Sequence, residues 1–117
     1  MDQFISALKT SGFAGEIDDT PASRDAYSHD ASLFEVRPEL IVSPQDSADV
    51  QKLIKTIVSA RADIPGLSVT ARSAGTDMSG GAINESVIAD FNKHFTHIES
   101  VTSNSAHVQP GVFYRDF

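Results

Sequence analysis

The sequence predicts an α/β (α+β) fold, a small sheet built on one parallel strand-helix-strand unit with flanking helices. Three observations carry this expectation. Leu40, Ile41 and Val42 form an apolar run punctuated by Pro38 and Pro44, the length and framing of a buried strand. Directly after it Val50, Leu53, Ile54, Ile57 and Val58 recur at helical spacing as one apolar stripe. Beyond the helix breakers Pro65 and Gly66, Leu67 to Ala71 alternates like a second strand. A strand, a long helix and a strand in that order predict a parallel pair with a right-handed crossover, and such a sheet must be covered on its faces.

Taken along the chain, the first element is a short amphipathic helix, because Phe4, Ile5 and Leu8 share one face and Gly12 follows as a terminator. From Gly15 to Pro38 the composition is Asp, Ser, Thr and Pro with scattered aromatics, which predicts an ordered but irregular segment and no domain boundary. The long helix is expected from about Ser47 to Ala62, with Asp46 accepting from the first-turn amides and Asp49 adding negative charge at the positive end. A glycine-rich loop, Gly75 to Gly81, separates a strand at Val69 to Arg72 from another at Val87 to Phe91. Leu40 to Val42 belongs to the same sheet, with the long helix packed across it. Ile98 to Val101 and His107 to Val108 read as short strands around the polar turn Thr102 to Ser105, and Gly111 precedes a helix start at Val112 to Phe117. A chain ending inside that element leaves Phe113, Tyr114 and Phe117 little to pack on, so a single, incomplete domain over residues 1–117 is the expectation. There is no internal repeat.

Composition narrows the function classes. At 117 residues and 40% hydrophobic content the chain can bury one core and not two. Sixteen acidic against nine basic side chains, a formal net charge of -7, leave no excess cation for phosphodiester backbones, so no nucleic-acid partner is expected. Without cysteine there is no disulfide framework and no thiolate metal site, and a cytoplasmic setting is compatible. MDQFISALKTSGF lacks the pattern of a secretory signal, and no stretch approaches the ~20 apolar residues of a spanning helix. Any membrane association would come from other parts or partners.

The chemistry is concentrated in RSAGTDMSGG, Arg72 to Gly81, with three glycines, two serines and a threonine after a strand. Such a stretch can turn several amides toward one point, and glycine lets the main chain approach an anion closely. Arg72 adds a fixed charge and a planar donor fork. Gly75 and Gly80 have Walker A spacing, but Gly81 and Ala82 stand where that motif needs Lys and Ser or Thr. The dinucleotide fingerprint GxGxxG is absent as well, and the loop leads through Asn84 and Glu85 into a strand. A diphosphate-holding loop and a ligand-free connection between strands both remain open on composition.

A resemblance spans nearly the whole chain. YSHDASLFEVRPELIVSPQDSADVQKLI, VTARSAGTDMSGG, SVIADFNKHFTHIESV and VQPGVFYRDF look, in that order and spacing, like successive blocks of the FAD-binding domain of the vanillyl-alcohol-oxidase/PCMH flavoprotein superfamily, glycolate-oxidase and D-lactate-dehydrogenase branch. The resemblance implies the first subdomain of a PCMH-type FAD-binding domain with the start of the second. It implies that Arg72, Ser73, Ala74, Gly75, Thr76, Asp77, Met78, Ser79, Gly80 and Gly81 hold the FAD pyrophosphate, with Pro44 near the adenine end and Gly111 on the flavin side. Thr76 stands where some relatives carry a histidine linked to the flavin, which implies non-covalent FAD. The implied partners are a further flavin subdomain and a substrate domain, with a small 2-hydroxy acid as substrate of the intact enzyme. That enzyme is cytoplasmic or peripheral to the inner membrane. On this reading the fragment has no catalytic residue of its own, does not retain FAD, and self-associates through its uncovered aromatics.

Other residues have plainer readings. His94 and His97 have HxxH spacing but follow a strand and lack a third ligand, so no metal site is expected. His29 and His107 are uncommitted, and no Ser, His and Asp trio assembles from local spacing. Asp77 would repel a diphosphate and is expected to face away, accepting from loop amides or pairing with an arginine. Met78 reads as a packing residue. Beside the flavoenzyme reading stands a free-standing α/β interaction module whose loop binds nothing.

Overall fold

Apolar repeats of helical and of strand period become helices laid against one sheet in the computed structural model, which describes residues 1–116. Phe117, the last aromatic of the expected terminal helix, lies outside the described residues. Helix α1 (Asp2–Thr10) buries Phe4 and Leu8, and Gly12 turns the chain out of it at φ +85°. Helix α3 (Ser47–Ala60) begins at Asp46, whose Oδ1 accepts from the Asp49 amide at 2.8 Å. The four-stranded sheet holds β1 (Glu16–Asp18), β2 (Leu40–Ser43), β3 (Val69–Arg72) and β4 (Val87–Asp90) in the order β1-β2-β4-β3. β1 runs antiparallel to β2, whereas β2, β4 and β3 are mutually parallel.

The expected strand-helix-strand unit is present, but its two strands do not pair. β4 stands between them, with Leu40 opposite Val87 on one side and Val69 opposite Val87 on the other. Hydrophobicity explains the exchange. Every residue of β4 is buried, as a central parallel strand demands, whereas β3 alternates Val69 and Ala71 with Thr70 and Arg72 and takes the edge.

Alternation sorts the two faces. Leu40, Val42, Val87 and Ala89 meet Phe4, Leu8, Phe13, Leu53, Ile57 and Leu67 in one core beneath α1 and α3. Ile41, Ser43, Ile88 and Asp90 point to the opposite face, where α2 (Pro21–Ala26) packs on β2.

The apolar stripe of α3 needs correction. Ile54 and Val58 are 45% and 65% exposed, while Asp49 and Thr56 are buried beside Leu53 and Ile57. The helix is turned so that Asp49 enters the protein, where its carboxylate accepts from the Ala14 and Gln45 amides, each at 3.0 Å. Burial opposes that charge, but these amides and that of Gly15 outweigh it and hold the carboxyl below its ordinary value.

Two elements, β1 and α2, occupy the segment expected to be irregular. A three-residue strand is too short to show alternation, and its signal is the pairing of Ile17 with Val42 across the sheet. α2 starts as Thr20-Pro21, a cap residue with proline in the first turn. Asp18 ties the two together, accepting from the Thr20 amide at 2.9 Å and the Ser23 hydroxyl at 2.5 Å.

Toward the C-terminus, β5 (Ile98–Val101) and β6 (Ala106–Val108) form a separate antiparallel ribbon, closed by the Thr102 amide donating to the Ser105 carbonyl at 2.7 Å. The helix expected from Val112 is only a 3-10 turn at Tyr114–Asp116, with Phe113 42% and Tyr114 86% exposed. A single turn gains too few hydrogen bonds to offset the cost of helix nucleation.

Candidate functional site

In a parallel sheet the carboxyl ends of the strands share one edge, and the connections leaving that edge form the natural ligand crevice. Here Pro44 follows β2, Ser73 follows β3 and Phe91 follows β4. The glycine-rich connection therefore leaves the sheet where a ligand would be sought. Gly75 and Gly80 adopt φ +69° and +85°, the left-handed region that side chains disfavour. The amides of Ala74, Gly75 and Thr76 donate to no group of the chain among the described residues.

Asp77 folds back into the loop. Its Oδ1 accepts from the Ser79 hydroxyl and the Ser79 amide, both at 2.7 Å, and these two bonds hold the carboxyl below its usual range. Its other oxygen occupies the space a side chain on Gly81 would need. Asp77 thus spends its charge on loop donors, one of the two options expected for it. Met78 is 81% exposed, so the packing role read from the sequence is incorrect: the hydrogen-bonded turn at Asp77 and Ser79 carries its side chain outward.

The underside of the loop is made by three residues distant in sequence. Arg72 lies 5.1 Å from the centre of the Tyr27 ring, and its Nη1 donates to the carbonyls of Tyr27 at 3.5 Å and Ala82 at 3.3 Å. The guanidinium fills the place where a Gly75 side chain would stand. The Tyr27 hydroxyl donates to Asp90 Oδ2 at 2.6 Å, while Asp90 Oδ1 accepts from the Asn92 amide at 2.8 Å. Burial, and then the bond to Asp90, push the Tyr27 phenol well above its ordinary value. Asn92 Nδ2 donates to the Ser73 carbonyl at 2.8 Å, and the Ser73 hydroxyl donates to the Pro110 carbonyl at 2.7 Å.

Of the residues expected at a cofactor, 72–81 form this one loop. Gly111 is brought toward it through Pro110 and Ser73, but is itself buried, its amide donating to the Phe95 carbonyl at 2.7 Å, with the Phe91 and Phe95 carbonyls where a side chain would go. Pro44 is buried at the end of β2, two strands and so ~10 Å from β3. Tyr27, Asp90 and Asn92 were not singled out by sequence. Asp-Phe-Asn at a strand end is the signature of a side-chain-closed turn and could have flagged the last two; nothing local marks Tyr27.

A hollow of about 280 Å³ is lined by residues 71–77 with Gly81 and Ala82, and another of about 320 Å³ by Ala71, Arg72, Ser73, Phe91 and Pro110. They share the carboxyl end of β3. A third, about 350 Å³, lies between α1 and α3 against Lys55 and Asp63, but no glycine loop or set of unspent amides faces it. The strand-edge pair is therefore the chemically equipped one.

Three of the four histidines pair with carboxylates. His94 Nε2 meets Glu16 Oε2 at 2.6 Å, with Lys93 at 3.4 Å from the same carboxylate. Burial raises Glu16, but the His94 bond and its neighbours outweigh that and lower it. His29 faces Glu35 and His107 faces Glu99. Among the described residues no three His, Asp or Glu side chains converge as metal ligands, and no helix is long and apolar enough to cross a membrane.

Comparison with known proteins places the chain. Residues 38–117 match the family model described as FAD binding domain. D-2-hydroxyglutarate dehydrogenase of Pantoea ananatis (strain AJ13355) is 27% identical over 106 residues, 91% of this chain and 10% of that protein. The Escherichia coli (strain K12) protein of the same name is 28% identical with the same coverage. Alkyldihydroxyacetonephosphate synthase superposes over 99% of this chain and 24% of its own at a TM-score of 0.77 and 18% identity. p-Cresol methylhydroxylase superposes over 97% of this chain and 22% of its own, at a TM-score of 0.73 and 15% identity. The chain spans about a tenth of the length of the curated relatives it matches.

Proposed function

This chain belongs to the FAD binding domain family, and from that premise we propose that its glycine loop seats the pyrophosphate of FAD in an oxidoreductase acting on a small 2-hydroxy acid. One observation carries the assignment to this loop. Arg72, half-buried, has no carboxylate partner among the described residues, in a chain with 16 acidic and nine basic side chains. It stands directly behind unspent amides at the carboxyl ends of parallel strands. That donor set fits a diphosphate: fixed charge behind, N–H groups in front, and glycines where the anion must come close.

Within that reading, residues 72–81 hold the diphosphate, and Asp77 shapes the loop with its carboxylate bonded to Ser79. Pro44 and Gly111, both buried, contribute backbone and shape. Thr76 offers no nucleophilic ring nitrogen, so attachment of the flavin is non-covalent. When bound, FAD supplies the hydride acceptor; these residues only bind and orient it.

The relatives named D-2-hydroxyglutarate dehydrogenases favour a 2-hydroxy acid substrate, with glycolate and D-lactate as the narrower candidates. Residues 1–117 serve as one incomplete domain, whose partners in the intact enzyme are a further flavin subdomain and a substrate domain. Alone they leave the ring system of the flavin uncovered on one side and do not retain it, since a pocket buries about 70–90% of its ligand. The test has two arms. ADP added to the 117-residue chain shifts amide resonances within Ser73 to Gly81, and shifts elsewhere, or none, refute the loop assignment. FAD added at micromolar concentration keeps its free fluorescence, and stoichiometric quenching refutes the claim of an incomplete cleft.

A further inference from the structure

Arg72 and Asp90 are register partners on the neighbouring strands β3 and β4, side chains on the same face of the sheet. Directly opposed residues at that spacing carry their Cβ atoms ~5 Å apart, and an arginine beside a buried aspartate ordinarily forms a bidentate pair. No such pair exists here. Tyr27, arriving from the C-cap of α2, takes the Asp90 carboxylate with its hydroxyl at 2.6 Å and offers its ring face to the guanidinium at 5.1 Å. The remaining contacts of Arg72 are two long bonds to neutral carbonyls.

Resting on the anion-site reading above, we propose that Tyr27 is a positioning residue that withholds Asp90 from Arg72, so that the guanidinium is held in place with its charge unspent for the ligand. A carboxylate partner would hold the guanidinium equally well but would set a negative charge beside the diphosphate. A π face and carbonyls hold it without that penalty. The burial that raises the Tyr27 phenol keeps it a neutral donor to Asp90 across the physiological range. Tyr27 also lies outside the residues matched by the family model, which begin at position 38.

The test uses inorganic pyrophosphate and the 117-residue chain, following the amides of Ser73 to Gly81 and the Arg72 Nε–H resonance. Tyr27→Phe keeps the ring but releases Asp90. The expected result is an affinity about tenfold weaker than wild type, the size of one charge-assisted bond, and a displaced Nε–H signal in the absence of ligand. Asp90→Asn in the Tyr27→Phe background removes the competing charge and restores binding to within about threefold of wild type. A purely structural tyrosine predicts no such rescue. Unchanged affinity in Tyr27→Phe, or a double variant as weak as the single one, overturns the proposal while leaving the anion site intact. Should Tyr27→Phe fail to give a dispersed spectrum, Asp90→Asn alone decides: equal or tighter binding supports the proposal, and weaker binding overturns it. No pyrophosphate-induced shift in the wild-type loop removes the anion site and this proposal together.

Discussion

Every residue of β2 and β4 is buried, and no residue of β5 or β6 is. The two regions do not differ in kind of sequence, for the ribbon carries Ile98, Val101 and Val108, residues as suited to strands as those of the sheet. They differ in what lies against them. The sheet has α1 and α3 on one face and α2 with its following segment on the other, whereas Val101 in the ribbon remains 60% exposed. Burial in this chain is conferred by the second layer, and a two-stranded ribbon without one is marginal on its own.

The sharpest way to break the comparison is to remove a contact of the helix layer. Leu53 is 1% exposed and central to the core, so Leu53→Ala is expected to cost about 2–4 kcal/mol in urea unfolding. A cost under 1 kcal/mol would mean that the helix layer is not what stabilises the sheet. Asp49 comes next. Its folded pKa is depressed, so its contribution is complete above the unfolded value near 3.9 and is lost as pH falls through the lower folded value. Asp49→Asn should lose about 1–2 kcal/mol at neutral pH and flatten the acid limb of stability below the unfolded value, measured by unfolding across pH.

Gly75→Ala probes the loop that joins β3 to β4. At φ +69° with Arg72 filling the side-chain space, it should cost about 1–2 kcal/mol and move the Arg72 Nε–H resonance while the core amides of β2 and β4 stay fixed. Loss of the core dispersion would contradict the separation of loop from core. The smallest effect belongs to the ribbon: Val101→Thr should change stability by less than about 0.5 kcal/mol and reduce any concentration-dependent association seen by light scattering. A cost like that of Leu53→Ala would show that the ribbon is covered after all.

What the sequence disclosed follows the same division. β2, α3 and β4 were legible because each is one apolar pattern read locally, and α1 because Phe4 and Leu8 share a face and a glycine ends it. The place of β4 between β2 and β3 was not, since strand order depends on which strand tolerates an edge, a comparison among segments. Ile54 and Val58 misled because they match the apolar period, while Asp49 enters the protein to serve the amides of Ala14 and Gln45, a requirement set 35 residues upstream in the case of Ala14. The loop itself was legible from its glycines. Its underside was not, because Tyr27, Arg72 and Asp90 acquire a common purpose only when the sheet brings them together.

That distance has a kinetic consequence. The bond from Tyr27 to Asp90 closes 63 residues of chain and that from Arg72 to Tyr27 closes 45, so both carry a loop-closure cost that assembly of the sheet helps to offset. The loop should therefore reach its final shape after the core amides of β2 and β4 have gained protection in a refolding experiment, and lose it before them on unfolding. On the anion-site proposal, an anion that selects that shape would report on the last step of folding, and by mass action would also draw the whole chain toward completion.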